Sequence, residues 1–300
     1  MLDSRIYTFL KLCDVMNYRV SAEQLNMTQP AVTQHIQFLE KEYDCRLFSY
    51  DGRKLSKTKE GETLEQYARS AVYNETALRR KLAVSEPIEV RIGATKTIGD
   101  FVIHKQISDF LGRIDYKLSV TVDNTEHLLN KIDHNELDFA LIEGFFDRNQ
   151  YGCKLLRKEP FVGICAKAHP FAGREIGFKD LFAETLLIRE LGSGTRAILE
   201  QVLMEYNFSL DNFNRTICIS SFELIKKLVS NGSCVSFVYD AVAKSSDELA
   251  SFTIADTVMT REFNYVYLKN TSALALIEAF ETSCKKGTDK EQIDISKFSK

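Results

Sequence analysis

The sequence has little of what would assign a function class at first sight. Its 300 residues carry a net charge of −3, so there is no overall basic excess, and any surface that binds a polyanion must be local. No apolar run is long enough to cross a bilayer. The first residues, MLDSRIYTFLKLCD, show an early acid and a helical period instead of a secretory signal. These absences together predict a cytoplasmic protein.

The usual patterns of redox, metal and catalytic sites are also missing. Seven cysteines, an odd number, form no C-x-x-C pair, and a chain of this length needs no disulfide framework, so reduced thiols are expected. The histidines are scattered without a second ligand at metal spacing. Neither a G-x-S-x-G elbow nor a G-x-x-x-x-G-K phosphate loop is present. A cysteine–histidine nucleophile pair stays open, but nothing favours it; we predict no enzyme, no cofactor and no metal.

The first pattern that is present is a helix-turn-helix near the N-terminus. Apolar residues recur at helical spacing over 6–13, and VSAEQLNM predicts a short second helix. Thr28 is a natural N-cap for a third helix, and Pro30 falls in its first turn, where a missing N–H costs nothing. The predicted buried side of this third helix consists of Val32, Ile36, Leu39 and Tyr43. Two helices joined by a tight turn form the helix-turn-helix arrangement.

The exposed face of the third helix is polar and uncharged. It carries Gln29, Thr33, Gln34 and Gln37. Glutamine can make two hydrogen bonds to adenine, and threonine offers a hydroxyl or a methyl group to base edges. A solvated face of an ordinary helix is the alternative, but the cap, the turn and a basic segment occur together and in order. We therefore predict a DNA-reading face.

The basic segment follows directly. RLFSYDGRKLSKTK predicts a strand, an Asp-Gly turn and a second strand. Its basic residues include Arg53, Lys54 and Lys57, which would contact phosphates as a wing.

This part of the sequence resembles the DNA-binding domain of LysR-type transcriptional regulators. The resemblance rests on AEQLNMTQPAVTQHIQFLEKEYDCRLF followed by GRKLSKTKEGE, and T-Q-P-A-V-T is highly specific. It implies a winged helix-turn-helix. The positions predicted to contact DNA from the third helix and its cap are Thr28, Gln29, Pro30, Thr33, Gln34 and Gln37. Family members usually carry a basic residue at the position of Gln34 and often another at Gln37. Here the third helix would make fewer phosphate contacts, and the wing would supply a larger share of them.

A long connecting helix is predicted next. From Thr58 to Leu82 there is no proline and only one glycine. An apolar seam near a seven-residue repeat is formed by Leu64, Ala68, Ala71, Leu78 and Leu82. The seam must pack on a second copy or on the protein's own body. We favour a two-fold homodimer, which suits a pseudo-palindromic operator.

From Ile88 onward, predicted strands and helices alternate. IEVRIGA, YKLSVTV and LDFALIEG are predicted strands, and TIGDFVIHKQISDFL and TEHLLNKIDHN are predicted helices. After residue 150 the alternation resumes with the strands TLLIRE, RTICIS and CVSFVYD. Repeated strand–helix units predict a parallel sheet wrapped by helices. Two such lobes suggest a cleft between them.

Loops at the carboxyl ends of these strands are candidates for a ligand site, since open α/β sheets usually bind ligands there. Their hydroxyls and backbone N–H groups would suit a small anion. Lys96 and Arg196 could add positive charge, whereas Glu143 argues against a purely anionic ligand. Taken alone, hydroxyls at helix starts are more often simple caps.

DNTEHLLNKIDHNELDFALIEG and IRELGSGTRAILEQVL resemble the effector-binding domain of the same family. The resemblance implies two lobes joined by two crossing strands, with an effector between them, as in periplasmic binding proteins. The matched positions are Thr95, Thr97, Asn124, Thr125, Glu143, Gly194, Thr195 and Ser221. The family's peroxide sensors use a cysteine pair in the second lobe; the corresponding segment here has none, and Cys218 and Cys234 are expected to be buried strand residues.

The predicted fold is therefore multidomain. It combines an all-α-rich winged helix-turn-helix, a long linker helix and a two-lobed α/β effector domain of periplasmic-binding-protein type. The predicted limits are 1–58, 59–87 and 88–300, with lobe I at about 88–160 and 268–300 and lobe II at about 161–267.

The predicted function is sequence-specific transcriptional regulation. The predicted partners are double-stranded DNA, a small-molecule effector and further copies of the chain, as a dimer or tetramer. The alternative is an effector-independent regulator whose C-terminal domain only drives oligomerisation.

Overall fold

The computed structural model describes residues 2–82, 87–257 and 259–288, without the side chains of 283–288. It confirms the predicted fold class. The predicted domain limit at 87 adjoins residues 83–86, and the predicted C-terminal domain includes 289–300; both stretches lie outside the described residues. Within the described ranges, no helix is both long and apolar enough to cross a membrane.

The N-terminal part is a three-helix unit followed by a two-stranded wing. Its elements are α1 (Ser4–Val15), α2 (Tyr18–Gln24), α3 (Gln29–Glu42), β1 (Phe48–Tyr50) and β2 (Leu55–Lys57). Asn17 caps α2 by accepting from two backbone N–H groups, so this helix begins earlier than VSAEQLNM predicts. Thr28 caps α3 as predicted, because its Oγ1 accepts from the N–H of Ala31 at 3.4 Å.

The core of this unit follows the predicted helical period, with one exception. Phe9, Val32, Ile36 and Leu39 are buried. Tyr43 was predicted to be buried, and this was wrong: α3 ends one residue earlier, at Glu42, and Tyr43 is 50% exposed as the C-cap. Once the chain leaves the helix, the helical period no longer determines which side a residue faces.

The connecting helix α4 (Lys59–Leu82) begins directly after the wing. Its one glycine, Gly61, is required by close contact, since a Cβ there would lie 2.1 Å from the carbonyl oxygen of Leu47. Ala68 packs on the N-terminal core, while Tyr73 packs on the C-terminal domain. Leu78 and Leu82 of the predicted seam remain exposed. The helix thus packs on both neighbours within one chain and leaves the side chains of Leu78 and Leu82 uncovered.

The C-terminal part contains the remaining strands and helices. In lobe I these are β3 (Ile88–Thr95), α5 (Lys96–Phe101), α6 (His104–Phe110), β4 (Tyr116–Asp123), α7 (Thr125–Asp133), β5 (Phe139–Ile142) and the first part of β6 (Tyr151–Ala166). Lobe II contains β7 (Glu175–Ile176), α8 (Phe178–Phe182), β8 (Thr185–Ile188), α9 (Gly194–Glu205), β9 (Arg215–Cys218), α10 (Phe222–Ser230), β10 (Val235–Tyr239), α11 (Asp240–Ala243) and β11 (Leu249–Ile254). β12 (Thr260–Leu268) and α12 (Ala273–Thr288) complete lobe I. TIGDFVIHKQISDFL forms two helices, α5 and α6, instead of the predicted single helix.

Two long strands join the lobes. The strand order is β4-β3-β5-β12-β6-β10-β8-β9, with β11 on β6 and β7. β6 pairs with β12 over its first part and with β10 and β11 over its last part. The chain crosses between the lobes where the N–H of Phe161 donates to the carbonyl of Met259 at 2.8 Å. The predicted return to lobe I at residue 268 was therefore too late: β12 pairs with β6 from Thr260 onward and with β5 of lobe I from Asn264 onward.

The edge position of β9 corrects a second expectation. Cys234 is buried as predicted, but Cys218 is exposed. β9 is the last strand of its sheet, and three of its four residues are exposed.

Polar contacts dock α4 onto lobe I, and they use backbone carbonyl groups. Ser70 Oγ donates to the carbonyl of Lys269 at 2.7 Å, and Asn74 Nδ2 donates to that of Asn270 at 2.8 Å. Gln66 Nε2 donates to the carbonyls of residues 149 and 150 at 3.2 and 2.9 Å. These polar contacts need only the backbone of lobe I, whereas Tyr73 packs in an apolar cluster of the lobe and Arg80 pairs with Asp138 at 3.4 Å.

Arg69 is the most heavily engaged residue of this junction. Its guanidinium contacts Asp14 Oδ1 of α1 at 2.6 Å and Glu65 Oε1 of its own helix at 2.7 Å. It also donates to the carbonyl of Asp133, at the end of α7, at 2.9 Å. The side chain is only 9% exposed, so these acceptors replace its lost hydration.

We expect Arg69→Ala to destabilise the protein by about 3 kcal/mol, because it removes the cation that two partly buried carboxylates, Asp14 and Glu65, share. Urea unfolding followed by circular dichroism measures the effect. Arg79→Ala is the matched control: Arg79 also pairs with a glutamate four residues earlier, Glu75, but its side chain is 65% exposed, and exposed pairs contribute little. Equal losses in the two variants would contradict a structural role for the Arg69 junction.

Candidate functional site

The exposed face of α3 presents the predicted glutamines. Gln29, Gln34 and Gln37 are exposed and Thr33 is half-buried. Gln29 Nε2 donates to Thr33 Oγ1 at 3.0 Å, and the Thr33 hydroxyl donates to the Gln29 carbonyl at 3.1 Å. Thr33 therefore offers mainly its methyl group and a lone pair outward, whereas the amides of Gln34 and Gln37 are open to a partner.

The tip of the wing places two basic side chains in solvent. Asp51 Oδ1 accepts from the N–H groups of Arg53 and Lys54 at 2.9 and 2.7 Å, which fixes the turn. Gly52 has φ +89°, a conformation that favours glycine. Arg53 and Lys54 are exposed and make no ion pair within the described part of the chain.

Lys57 has a different position from the one predicted. Its ammonium pairs with Glu65 of α4, and only 28% of its side chain is exposed. It anchors the wing to the connecting helix instead of extending toward solvent.

A cavity of about 190 Å³ lies at the carboxyl ends of β3, β4, β5 and β8, between the lobes. This is the edge at which α/β sheets bind ligands. Predicted effector residues from both lobes line it: Thr95, Lys96, Asn124, Thr125, Glu143, Gly194 and Thr195.

Three further predicted effector residues have other partners. Thr97 is fully buried, and its hydroxyl donates to Glu143 Oε1 at 2.9 Å. Arg196 pairs with Glu200 at 2.8 Å along α9, and the Ser221 hydroxyl caps α10. Thr97 thus supports a residue of the cavity, Arg196 also donates to the carbonyl of Arg189 at 3.4 Å, and Ser221 serves its own helix.

Charged residues that the sequence analysis did not single out also line the cavity. Arg189 is 4% exposed, and its guanidinium donates to both carboxylate oxygens of Glu190, at 2.7 and 2.9 Å. It also lies 4.1 Å from the ring centroid of Phe222. Lys96 Nζ is 3.7 Å from the same Glu190 carboxylate, and Asp123 completes the set. The sequence signal that could have identified Arg189 and Glu190 is a pair of charged residues directly after the apolar strand TLLI.

Glu143 is the buried carboxyl group of the cavity. Thr97 binds one of its oxygens, but within the described residues the other oxygen, Oε2, has no hydrogen-bond partner, and neither has Thr95 Oγ1. Burial raises the pKa of Glu143 to about 7, although the Thr97 hydrogen bond, the charge of Arg189 and the nearby Thr95 hydroxyl act in the opposite direction. The group is therefore partly protonated near neutral pH.

Family models match both parts of the chain. The model "Bacterial regulatory helix-turn-helix protein, lysR family" matches residues 4–62, and "LysR substrate binding domain" matches residues 86–289. The chain belongs to the LysR family.

Known LysR-type proteins resemble the chain over most of its length. The transcriptional regulator CysL of Bacillus subtilis is 29% identical over 273 residues, covering 87% of this chain and 89% of CysL. A variant of full-length OxyR from Pseudomonas aeruginosa superposes with a TM-score of 0.60 at 21% identity, covering 95% of each chain. The regulatory domain of CcmR from Synechocystis, in complex with 2-PG, gives 0.58 at 20% identity and covers 66% of this chain and 97% of CcmR. These two structures share the LysR fold.

The raised pKa of Glu143 predicts how the stability of this LysR-family protein varies with pH. Between about pH 4.5 and 7 the folded protein binds more protons at Glu143 than the unfolded protein does. The free energy of unfolding therefore falls as the pH rises through this range. Glu143→Gln removes the titrating carboxyl group and with it the loss of stability at higher pH. We expect the variant to gain on the order of 2 kcal/mol relative to wild type between pH 4.5 and 8.

Urea unfolding at pH 5 and pH 8 tests this expectation. Glu248→Gln, at an exposed position in lobe II, is the control. Its unfolding free energy should differ from that of wild type by the same amount at both pH values. If the difference in unfolding free energy between Glu143→Gln and wild type did not change with pH, the Glu143 carboxyl group would titrate normally.

Proposed function

We propose that the protein is a sequence-specific transcriptional regulator whose operator binding is modulated by a small effector between the two lobes. Residues 1–58 would read DNA, α4 would connect and dimerise, and the domain from residue 88 onward would bind the effector. The observation that carries the proposal is the exposed, uncharged glutamine face of α3 beside a basic wing tip.

The exposed face of α3 and the tip of the wing would make different kinds of contact with DNA. Gln34 and Gln37 carry no charge, so they would contribute base contacts and little phosphate binding. Arg53 and Lys54, which are exposed and outside any ion pair of the described ranges, would supply phosphate contacts. Lys57 would act indirectly, by holding the wing on α4 through Glu65.

A homodimer is supported by exposed apolar side chains around α4. Leu78 and Leu82 are 55% and 67% exposed, and Tyr67 is 68% exposed. A cavity of about 350 Å³ adjoins Tyr67 and is also lined by Phe38 and Tyr43. Apolar surface of this kind marks association sites, and a second copy would present two reading helices to one operator.

Selection of bound DNA from a random pool, at two salt concentrations, tests the proposed function. We expect an interrupted palindrome whose half-sites lie about one or two helical turns apart, because a two-fold dimer binds two equivalent sites. Enrichment of a single half-site would argue against the dimer. A pool without enrichment at both salt concentrations would contradict sequence-specific binding.

Two substitutions separate the roles of the helix and the wing. Gln34→Ala should relax the preference at one position of each half-site, with a cost of about 1–3 kcal/mol for the preferred base. Lys54→Ala should weaken binding to all sequences and reduce the slope of log K against log salt by about 1 per lost phosphate contact. Fluorescence anisotropy over a salt series measures both.

Lys167→Ala, an exposed lysine of lobe II, is the control and should leave DNA binding unchanged. If Gln34→Ala and Lys54→Ala acted alike on every sequence, the proposed division between helix and wing would be wrong.

A further inference from the structure

The cavity between the lobes contains two buried polar atoms that lack a well-aligned hydrogen bond. Glu143 is 8% exposed and Thr95 is 4% exposed. Within the described residues, Glu143 Oε2 and Thr95 Oγ1 form no hydrogen bond of normal geometry, although the Thr95 hydroxyl lies close enough to stabilise the Glu143 carboxylate. Burying such atoms unpaired is costly, and both residues line the cavity. A carboxylate oxygen accepts hydrogen bonds and attracts a cation. This side of the cavity is therefore suited to a protonated amine.

The opposite side of the cavity suits an anion. The twelve-residue helix α9 begins there, and its N-cap, Ser193, makes no side-chain capping hydrogen bond. The first N–H groups of the helix, at Gly194, Thr195 and Arg196, have no acceptor within the helix. The positive end of the helix dipole adds to their attraction for negative charge. Gly194 and Thr195 both line the cavity.

The two sides are close enough to hold a single small headgroup. A Cβ on Gly194 would lie 4.0 Å from Glu143 Cγ and 3.9 Å from Gly144 Cα. The start of α9 in lobe II and the carboxyl group of lobe I are thus near neighbours. The ammonium and carboxylate groups of an α-amino acid are joined through one carbon atom, so a single molecule of this class presents both charges to neighbouring groups.

We propose that the effector is a small zwitterion, an α-amino acid, whose ammonium group pairs with Glu143 and whose carboxylate binds at the start of α9. This deepens the proposed function and rests on it. The Thr95 hydroxyl would accept a further hydrogen bond from the ammonium group.

The cations of the cavity argue against a purely anionic effector. Arg189 donates two hydrogen bonds to Glu190, and Lys96 faces the same carboxylate. An anion that recruited either cation would compete with Glu190 and would lie beside Glu143 as well. A zwitterion avoids this conflict because it brings its own positive charge.

The size of the cavity restricts the ligand to a small molecule. Its volume of about 190 Å³ is below the roughly 300–1,000 Å³ that is typical of pockets for drug-sized ligands. A short side chain on the amino acid fits this limit.

The titration of Glu143 supports the proposal. With a pKa of about 7, Glu143 is partly protonated when the cavity is free, and a bound ammonium favours its charged form. Binding at pH 7 should therefore release a proton. The other charged residues that share a cavity with Glu143 are Lys96, Asp123, Arg189 and Glu190 on one side and Arg148, Arg261 and Glu262 on the other.

Thermal melting of the full chain with matched ligand sets tests the proposal. The probes are the common amino acids, with the amine and the 2-hydroxy acid that correspond to each small one; L-alanine is compared with ethylamine and L-lactate, and L-serine with ethanolamine and glycerate. We expect at least one amino acid to raise the melting temperature by roughly 4 °C at a hundred times its Kd, whereas its matched amine and hydroxy acid do not.

Two variants test the residues involved. Glu143→Gln keeps the shape of the side chain but removes its charge, and should weaken binding by about 10- to 100-fold. Thr95→Val should weaken it by about 3- to 10-fold, and it keeps the test available if Glu143→Gln folds poorly. Glu248→Gln should bind like wild type. Calorimetry at pH 7 in phosphate and in Tris should show proton release with wild type and none with Glu143→Gln.

Several outcomes would overturn the proposal. These are stabilisation by a hydroxy acid or an amine as large as that by the amino acid, no response to any amino acid, and unchanged binding by Glu143→Gln. The random-pool selection assays DNA binding without any ligand. A failed amino-acid test combined with an enriched palindrome would therefore reject the effector class and leave the DNA-binding function in place.

Discussion

A guanidinium that has been removed from water needs acceptors around it, and Arg69 takes them from three parts of the chain. Asp14 comes from the first helix, Glu65 from the connecting helix and the carbonyl of Asp133 from lobe I. Glu65 also binds Lys57 and so fixes the wing. The orientation of the DNA-reading unit relative to lobe I therefore depends on a small group of charges that is largely shielded from solvent.

The helix α7 connects this junction with the cavity between the lobes. It begins at Thr125, which lines the cavity, and ends at Asp133, whose carbonyl Arg69 holds. His134, the next residue, lies 3.1 Å from Asp14. A nine-residue helix is about 13 Å long. A ligand that displaces the start of α7 therefore acts on an element that touches both the connecting helix and the first helix of the DNA-reading unit.

Local signals in the sequence were sufficient for the elements of the reading unit. Thr28 and Pro30 fixed the start of α3, and its apolar period identified Val32, Ile36 and Leu39 as core residues. The period failed at Tyr43, because nothing local indicated that the helix would end one residue earlier.

Contacts between distant residues could not be predicted in the same way. The ion pair that turns Lys57 away from solvent joins the wing to a helix, and a basic residue on a wing looks the same in sequence whether or not it is paired. Most of the cavity lining followed from strand ends and from family resemblance. Arg189 and Glu190 open the loop after β8, but they were not singled out, because nothing local shows that the Arg189 side chain is buried at the cavity. The return of the chain to lobe I was predicted too late in the sequence. Only the pairing of β12 with β5 and β6 shows that this strand belongs to lobe I.

The docking of α4 on lobe I has a consequence for protein engineering. Gln66, Arg69, Ser70 and Asn74 all reach backbone carbonyls, and every amino acid supplies a carbonyl at the same place on a conserved backbone. Through these four residues the helix recognises the backbone of its neighbour, whereas Tyr73 and Arg80 also require an apolar cluster and Asp138 of lobe I. Sensor domains of related regulators, with different ligand preferences, should be exchangeable behind this helix, provided that the graft keeps the whole helix with the reading unit and that the new domain supplies a matching apolar cluster and acid.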